Sequence, residues 1–183
     1  MGARLRILLV CVLAACAYGV AHDLLTAHLC VEYFTIGHPR ILITEEPLPL
    51  ALFWGVFATW WVGAGLGAAL AWAAGAGPAP AWGPARVLPG ILRLLASMGG
   101  LALLAGLLGG WLASGERIVL LGELAERVPA ERHARYLACL WAHTTSYAVG
   151  ALGGLALVLR TRQARRKELP ASNPVSSGAA DGR

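Results

Sequence analysis

The sequence predicts an all-α protein, an integral membrane four-helix bundle with a polar extracytoplasmic loop between its first two helices. Three observations predict it. Hydrophobic residues make up 57% of the chain, with a mean hydropathy of +0.63 and only 14% charged residues, too apolar for an ordinary soluble domain. Four apolar stretches are each long enough to cross a bilayer, which takes about 20 residues per helix. The basic residues collect at the ends of these stretches rather than along one face. In 183 residues such a bundle leaves no room for a separate soluble domain, so residues 1–167 form the membrane domain and 168–183 a disordered cytoplasmic tail.

The first helix is expected at about 5–21, behind the basic start Arg4 and Arg6, and it can extend helically into the polar residues beyond. Leu13-Ala14-Ala15-Cys16 also matches the small-residue pattern before a lipid-modified cysteine, so cleavage or lipidation at Cys16 is a rival reading of this span. Residues 22–47 then carry Asp23, Glu32, Glu45 and Glu46 against Arg40, an acidic loop that belongs outside the cytoplasm.

The second helix, about 49–76, starts where proline suits a first helical turn. Gly55, Thr59, Gly63, Gly67, Ala71 and Gly75 recur every fourth residue, which lays a strip of small side chains along one face. In lipid such a strip lets another helix approach closely. The partner is a helix of the same bundle, a second copy in a homo-oligomer, or another membrane protein. A Pro/Gly/Ala-rich connector with Arg86 leads to the third helix, about 91–113, which has a small face of its own at Gly106 and Gly110.

Between the third and fourth helices, Ile118, Val119, Leu121, Leu124 and Val128 form the buried face of a short surface helix. The last helix, about 136–159, ends in the basic run that includes Arg160, Arg162, Arg165, Arg166 and Lys167. Assigning alternate loops by their arginines puts both termini in the cytoplasm. Heavy use of Ala, Gly and Arg is the composition of a GC-rich bacterial genome, so the expected location is a bacterial inner membrane. Lipid is the expected surrounding partner. The absence of a basic stripe excludes nucleic acid.

All five histidines fall on the extracytoplasmic half. His143 lies about seven residues into the fourth helix, roughly 10 Å below the surface, where ionisable groups are costly and point to function. Tyr147 and Ser146 share its side of the helix and extend it into a polar ladder. In the stretch 22–39, His28 and Glu32 are four residues apart and would share a helical face, while His22 and Asp23 point elsewhere. The candidate polar or metal site is therefore His22, Asp23, His28, Glu32, His38 and His143, brought together by a bend or by the last helix. Imidazole with carboxylate suits zinc, iron, copper or nickel. Cys11, Cys16, Cys30 and Cys139 lack C-x-x-C spacing and define neither a disulfide framework nor a zinc ribbon.

Three function classes follow: a structural, accessory or binding protein; a metal-binding protein or metal-dependent enzyme; and a small permease. The near-absence of ionisable residues within the second and third helices counts against the permease. No nucleotide, acyl-transfer or haem-attachment motif is present to define catalytic residues.

The strings Tyr18-Gly19-Val20-Ala21-His22-Asp23, Glu32-Tyr33-Phe34-Thr35-Ile36-Gly37-His38-Pro39 and Ala58-Thr59-Trp60-Trp61-Val62-Gly63 resemble a family of uncharacterised bacterial multi-pass membrane proteins. So do Trp141-Ala142-His143, Ser146-Tyr147 and Gly150 in the last helix. The resemblance implies the same four-helix architecture. It implies no activity and carries over no catalytic residue.

Overall fold

The computed structural model describes residues 2–169. Of the tail expected to be disordered, 170–183 lie outside the described residues. The described chain is all helical, and four stretches, Ala3–Leu29, Pro47–Gly75, Pro84–Ser114 and Ala130–Arg166, are long and apolar enough to cross a membrane. In chain order the helices are α1 (Ala3–Leu29), α2 (Glu32–Thr35), α3 (Pro47–Phe57), α4 (Trp60–Gly75), α5 (Pro84–Ser114), α6 (Glu123–Arg127) and α7 (His133–Arg166), the last preceded by a 3-10 turn at Ala130–Arg132. Around the bundle α5 packs on α7, α7 on α4, and α3 and α4 on α1, while α1 and α5 meet only lightly.

The first span is longer than its apolar run because helix α1 continues through the polar residues. His22, Asp23 and His28 are thus helical rather than in a loop. Polar side chains here bond back to the carbonyl four residues earlier: Thr26 Oγ1 donates to the His22 carbonyl at 3.2 Å, and His28 Nδ1 to that of Leu24 at 2.7 Å. The helix stops at Cys30, whose backbone is extended (φ −155°).

The four-residue strip of the second span is filled by α1 of the same chain. A Cβ built on Gly63 would stand 2.8 Å from Ala15 Cβ and from the Cys11 carbonyl oxygen. One on Gly67 would stand 2.9 Å from Leu8 Cα, and one on Gly55 2.5 Å from the Val20 nitrogen. A Cβ on Gly19 would overlap Gly55 and Thr59 in turn. The match is reciprocal, because Cys11, Ala15 and Gly19 recur every fourth residue on α1 and meet the glycines of α3 and α4. This seam is occupied within the chain, so it offers no free strip to a second copy.

The second span is also broken where a single helix was expected. Thr59 donates its hydroxyl to the Gly55 carbonyl at 2.5 Å, and its own N–H bonds back three residues to Val56. That tightens the turn between α3 and α4 and interrupts the regular helix there.

At the far end the basic run does more than mark topology. Arg165 is 1% exposed. Its guanidinium donates to the carbonyls of Ala73 at 2.9 Å, Ala76 at 2.9 Å, Ala79 at 2.5 Å and Pro80 at 3.0 Å. It therefore satisfies the Ala73 carbonyl at the end of α4 and three carbonyls of the cap and connector beyond it, while Arg4 takes that of Gly75. Arg162 joins it on Ala76 at 3.2 Å and lies 4.2 Å over the Trp72 ring.

At the opposite end Cys30, Tyr33, Phe34, Leu50, Trp54, Leu120, Val128 and Tyr136 form a second core. The segment before α7 contributes Leu120 and Val128, with Ile118 and Leu124 packed against them. Val119 and Leu121, expected on its buried face, are 59% and 77% exposed. Only five residues of this segment are helical, so a helical pattern does not decide which side chains turn in.

Replacing Gly63 with Leu should lower stability in detergent by about 1–3 kcal/mol through overpacking. Gly65→Leu, at a position with nothing within 4 Å of an added Cβ, should leave it unchanged. Thermal unfolding of the two variants makes the comparison. Arg165→Leu should cost about 3 kcal/mol or more, because buried carbonyls lose a charged donor. Its melting temperature should fall with no change at the histidine end.

Candidate polar site between the first and last helices

The seam that seats α1 also aims its polar residues. Asp23 continues the four-residue series from Cys11, Ala15 and Gly19, so it turns inward and is 6% exposed. His22, one position earlier, is rotated about 100° round the helix. It stands on the same face as Tyr18, whose ring stacks 5.8 Å from it. From the other side α7 presents His143 (4% exposed) and Ser146 (3% exposed).

These groups meet. His143 Nε2 lies 3.2 Å from Asp23 Oδ1, His143 Nδ1 lies 3.0 Å from the Cys139 carbonyl oxygen and 3.3 Å from His22 Nε2, and Tyr18 and Ser146 share a 2.8 Å hydrogen bond. One ligand atom each from His22, Asp23 and His143 fall within 4.8 Å of one another.

The hydrogen bonds define the chemistry. Where His143 Nδ1–H donates to the Cys139 carbonyl, its Nε2 carries a lone pair, and that lone pair faces a carboxylate oxygen. Two acceptors at hydrogen-bonding distance require a positive species between them, either a proton or a metal ion. A carbonyl on the other ring nitrogen is the usual way a metal-binding histidine is held in its tautomer. The opposite tautomer is a relay: His22 Nε2–H donates to His143 Nδ1, and His143 Nε2–H donates to Asp23. It leaves a lone pair against the Cys139 oxygen.

Of the six residues read from the sequence, three converge. His38 stands behind them: its Nδ1 donates to the Tyr33 carbonyl at 2.9 Å, and its ring packs 4.8 Å from Trp54 and 5.1 Å from Tyr33. Glu32 is elsewhere, 3.4 Å from Arg132 and accepting from the Cys30 thiol at 3.3 Å. His28 is exposed, with its Nδ1 on the Leu24 carbonyl. The expected His28 and Glu32 pair does not form, because the extended backbone at Cys30 breaks the register between them.

In the expected ladder on α7, Ser146 is the inward member. Tyr147 is 58% exposed and keeps only an edge contact, ring centre 6.0 Å from His143. Tyr18, Tyr33 and Cys139 also reach the site, although the candidate set does not include them. Tyr33 covers His143 at 4.4 Å between ring centres. Tyr18 could have been found from its four-residue spacing to His22, whereas the contact of Tyr33 depends on a turn no periodicity reports. Gly37 permits that turn, since a Cβ there would strike the Tyr136 hydroxyl and come 2.6 Å from the Tyr33 carbonyl oxygen.

Outside the spans, burial sets the titration of this end. Burial, reinforced by the neighbouring His143, holds His38 below its ordinary value of 6.5. Burial and then the bond to Glu32 push the Cys30 thiol up to about 12. Burial likewise raises the Tyr33 phenol.

Fold and site together define a small multi-pass helical protein with a buried His/Asp cluster joining its first and last spans. No protein-family model, no curated protein and no solved structure matches the chain.

His38 gives a pH test with a definite sign. Its folded form resists the proton that the unfolded chain takes up near 6.5, so the unfolded state binds more protons below that pH. The stability His38 contributes is therefore complete above 6.5 and lost as pH falls toward the folded-state value. His38→Asn should flatten the decline in melting temperature below pH 6.5 relative to the unaltered protein. A parallel decline in both would assign the effect to other groups.

Proposed function

We propose that this is a metal-binding protein of a bacterial inner membrane, holding one transition-metal ion through His22, Asp23 and His143 near the outer face. The observation that carries the reading is the approach of His143 Nε2 to Asp23 Oδ1 at 3.2 Å while Nδ1 is engaged by the Cys139 carbonyl. An ion with bonds of about 2 Å to nitrogen and oxygen bridges ligand atoms at such spacing. Contraction of the wider contacts, which reach up to 4.8 Å, by up to about 1.5 Å would bring His22 into the same tetrahedral shell. Two imidazoles and a carboxylate suit zinc or iron, and three protein ligands leave a coordination position open.

The orientation rests on charge. Arg4, Arg6, Arg86, Arg93, Arg160, Arg162, Arg165, Arg166 and Lys167 gather at the end away from the histidines, and Arg40, Arg117, Arg127, Arg132 and Arg135 at the histidine end. The positive-inside tendency then puts both termini in the cytoplasm and the site toward the outside.

A second reading has its own observation: no described buried side-chain nitrogen or oxygen lacks a hydrogen-bond partner. The same three residues would then be a structural clamp between α1 and α7, with a proton in place of the ion.

Elemental analysis of untagged protein, purified in mild detergent without chelator, separates the two. Metal binding predicts close to one ion per chain, unchanged in His28→Ala and lost in His22→Ala and His143→Asn. The clamp predicts no metal in any sample, and a loss of about 3–5 kcal/mol when one partner of the buried pair is removed. Equal metal in all samples would overturn the proposed site.

A further inference from the structure

We propose that the cleft between α1, α5 and α7 seats one acyl chain of an anionic phospholipid, with its phosphate held by Arg135. The inference stands apart from the metal reading. The cleft measures about 540 Å³, within the range of single-ligand pockets, about 300–1,000 Å³.

Its shape follows from the sequence. Small residues on all three helices, among them Ala21, Gly99, Gly106, Gly110 and Ala138, leave the space. Leu25, Leu103, Leu107 and Trp111 wall it. Gly106 and Gly110 draw α5 close to α7, since an added Cβ would come 3.2 Å from the Ala138 carbonyl oxygen and from its Cβ respectively. The lining is overwhelmingly apolar, so its occupant is hydrocarbon.

Depth and charge select the kind of hydrocarbon. The cleft begins at the helix ends, where Leu29, Ser114 and Arg135 stand, and closes where Tyr18 approaches Gly99, with 3.7 Å between the Tyr18 ring and a Cβ built there. From Leu29 to Tyr18 is eleven residues of α1, about 16 Å. That is about half of a hydrocarbon core of roughly 30 Å, the depth of one leaflet. A partner helix would need a seam across the whole span, whereas an acyl chain needs only this.

At the open end Arg135 is exposed and takes part in no ion pair among the described residues. An unpaired cation above an apolar slot one leaflet deep complements a phosphate above an acyl chain. The chain would run past His22, which lines the same cleft.

Native mass spectrometry after release from vesicles of equimolar phosphatidylglycerol and phosphatidylcholine with identical chains tests the proposal. One phosphatidylglycerol per protein should be retained in preference. Arg135→Gln should reduce that preference about fivefold, the worth of one basic side chain beside an anionic lipid, and Arg135→Lys should keep most of it. Ala21→Trp, which fills the slot from an exposed position, should abolish retention of either lipid at an unchanged melting temperature. Should that variant fail to fold, the two Arg135 variants still decide the matter. Equal retention of both lipids, no retained lipid, or a preference indifferent to Arg135 would each overturn it.

Discussion

Everything at the histidine end depends on how closely α1 lies in the groove of α3 and α4. Two helices with side chains at every turn cannot bring their backbones to the distances seen at Gly19, Gly55, Gly63 and Gly67. Glycine and alanine on both sides allow it. Because lipid gives no hydrophobic drive for helices to associate, this contact area supplies much of the cohesion. It also fixes rotation. With α1 locked by Cys11, Ala15 and Gly19, Asp23 must face the bundle and His22 must face the cleft. The orientation of the site residues is thus set by packing one to three turns away.

The two ends of the bundle solve the problem of polar atoms in different ways. At one, Arg165 serves several carbonyls of α4 and the connector from a single planar group, supported by Arg162. At the other, His22, His143 and Asp23 serve one another among aromatic rings, and the Tyr18 hydroxyl bonds to Ser146. An arginine stays charged at any accessible pH, so the bonds from Arg165 and Arg162 do not depend on titration of the donor. The histidine end is built instead from side-chain types that can act as donor, acceptor or ligand.

The spans were legible because hydropathy over some 20 residues is a strong signal, and the small strip because a four-residue period is easily seen. The ends of helices were less legible. His22 and Asp23 read as loop residues because they are polar, yet burial against α7 keeps them helical. His143 stood out by depth alone, and Asp23 became its partner only through the rotation of α1, a three-dimensional fact. His28 and Glu32 were paired on a helical spacing that one extended residue, Cys30, destroys. Arg165 was read as a topological charge because sequence does not show the carbonyls awaiting it.

His143 and Asp23 are 120 residues apart in the chain, on α7 and α1. The contact between them can close only when α7 packs back onto α1, so this one buried pair ties together the first and last helices of the described bundle, which share little other contact.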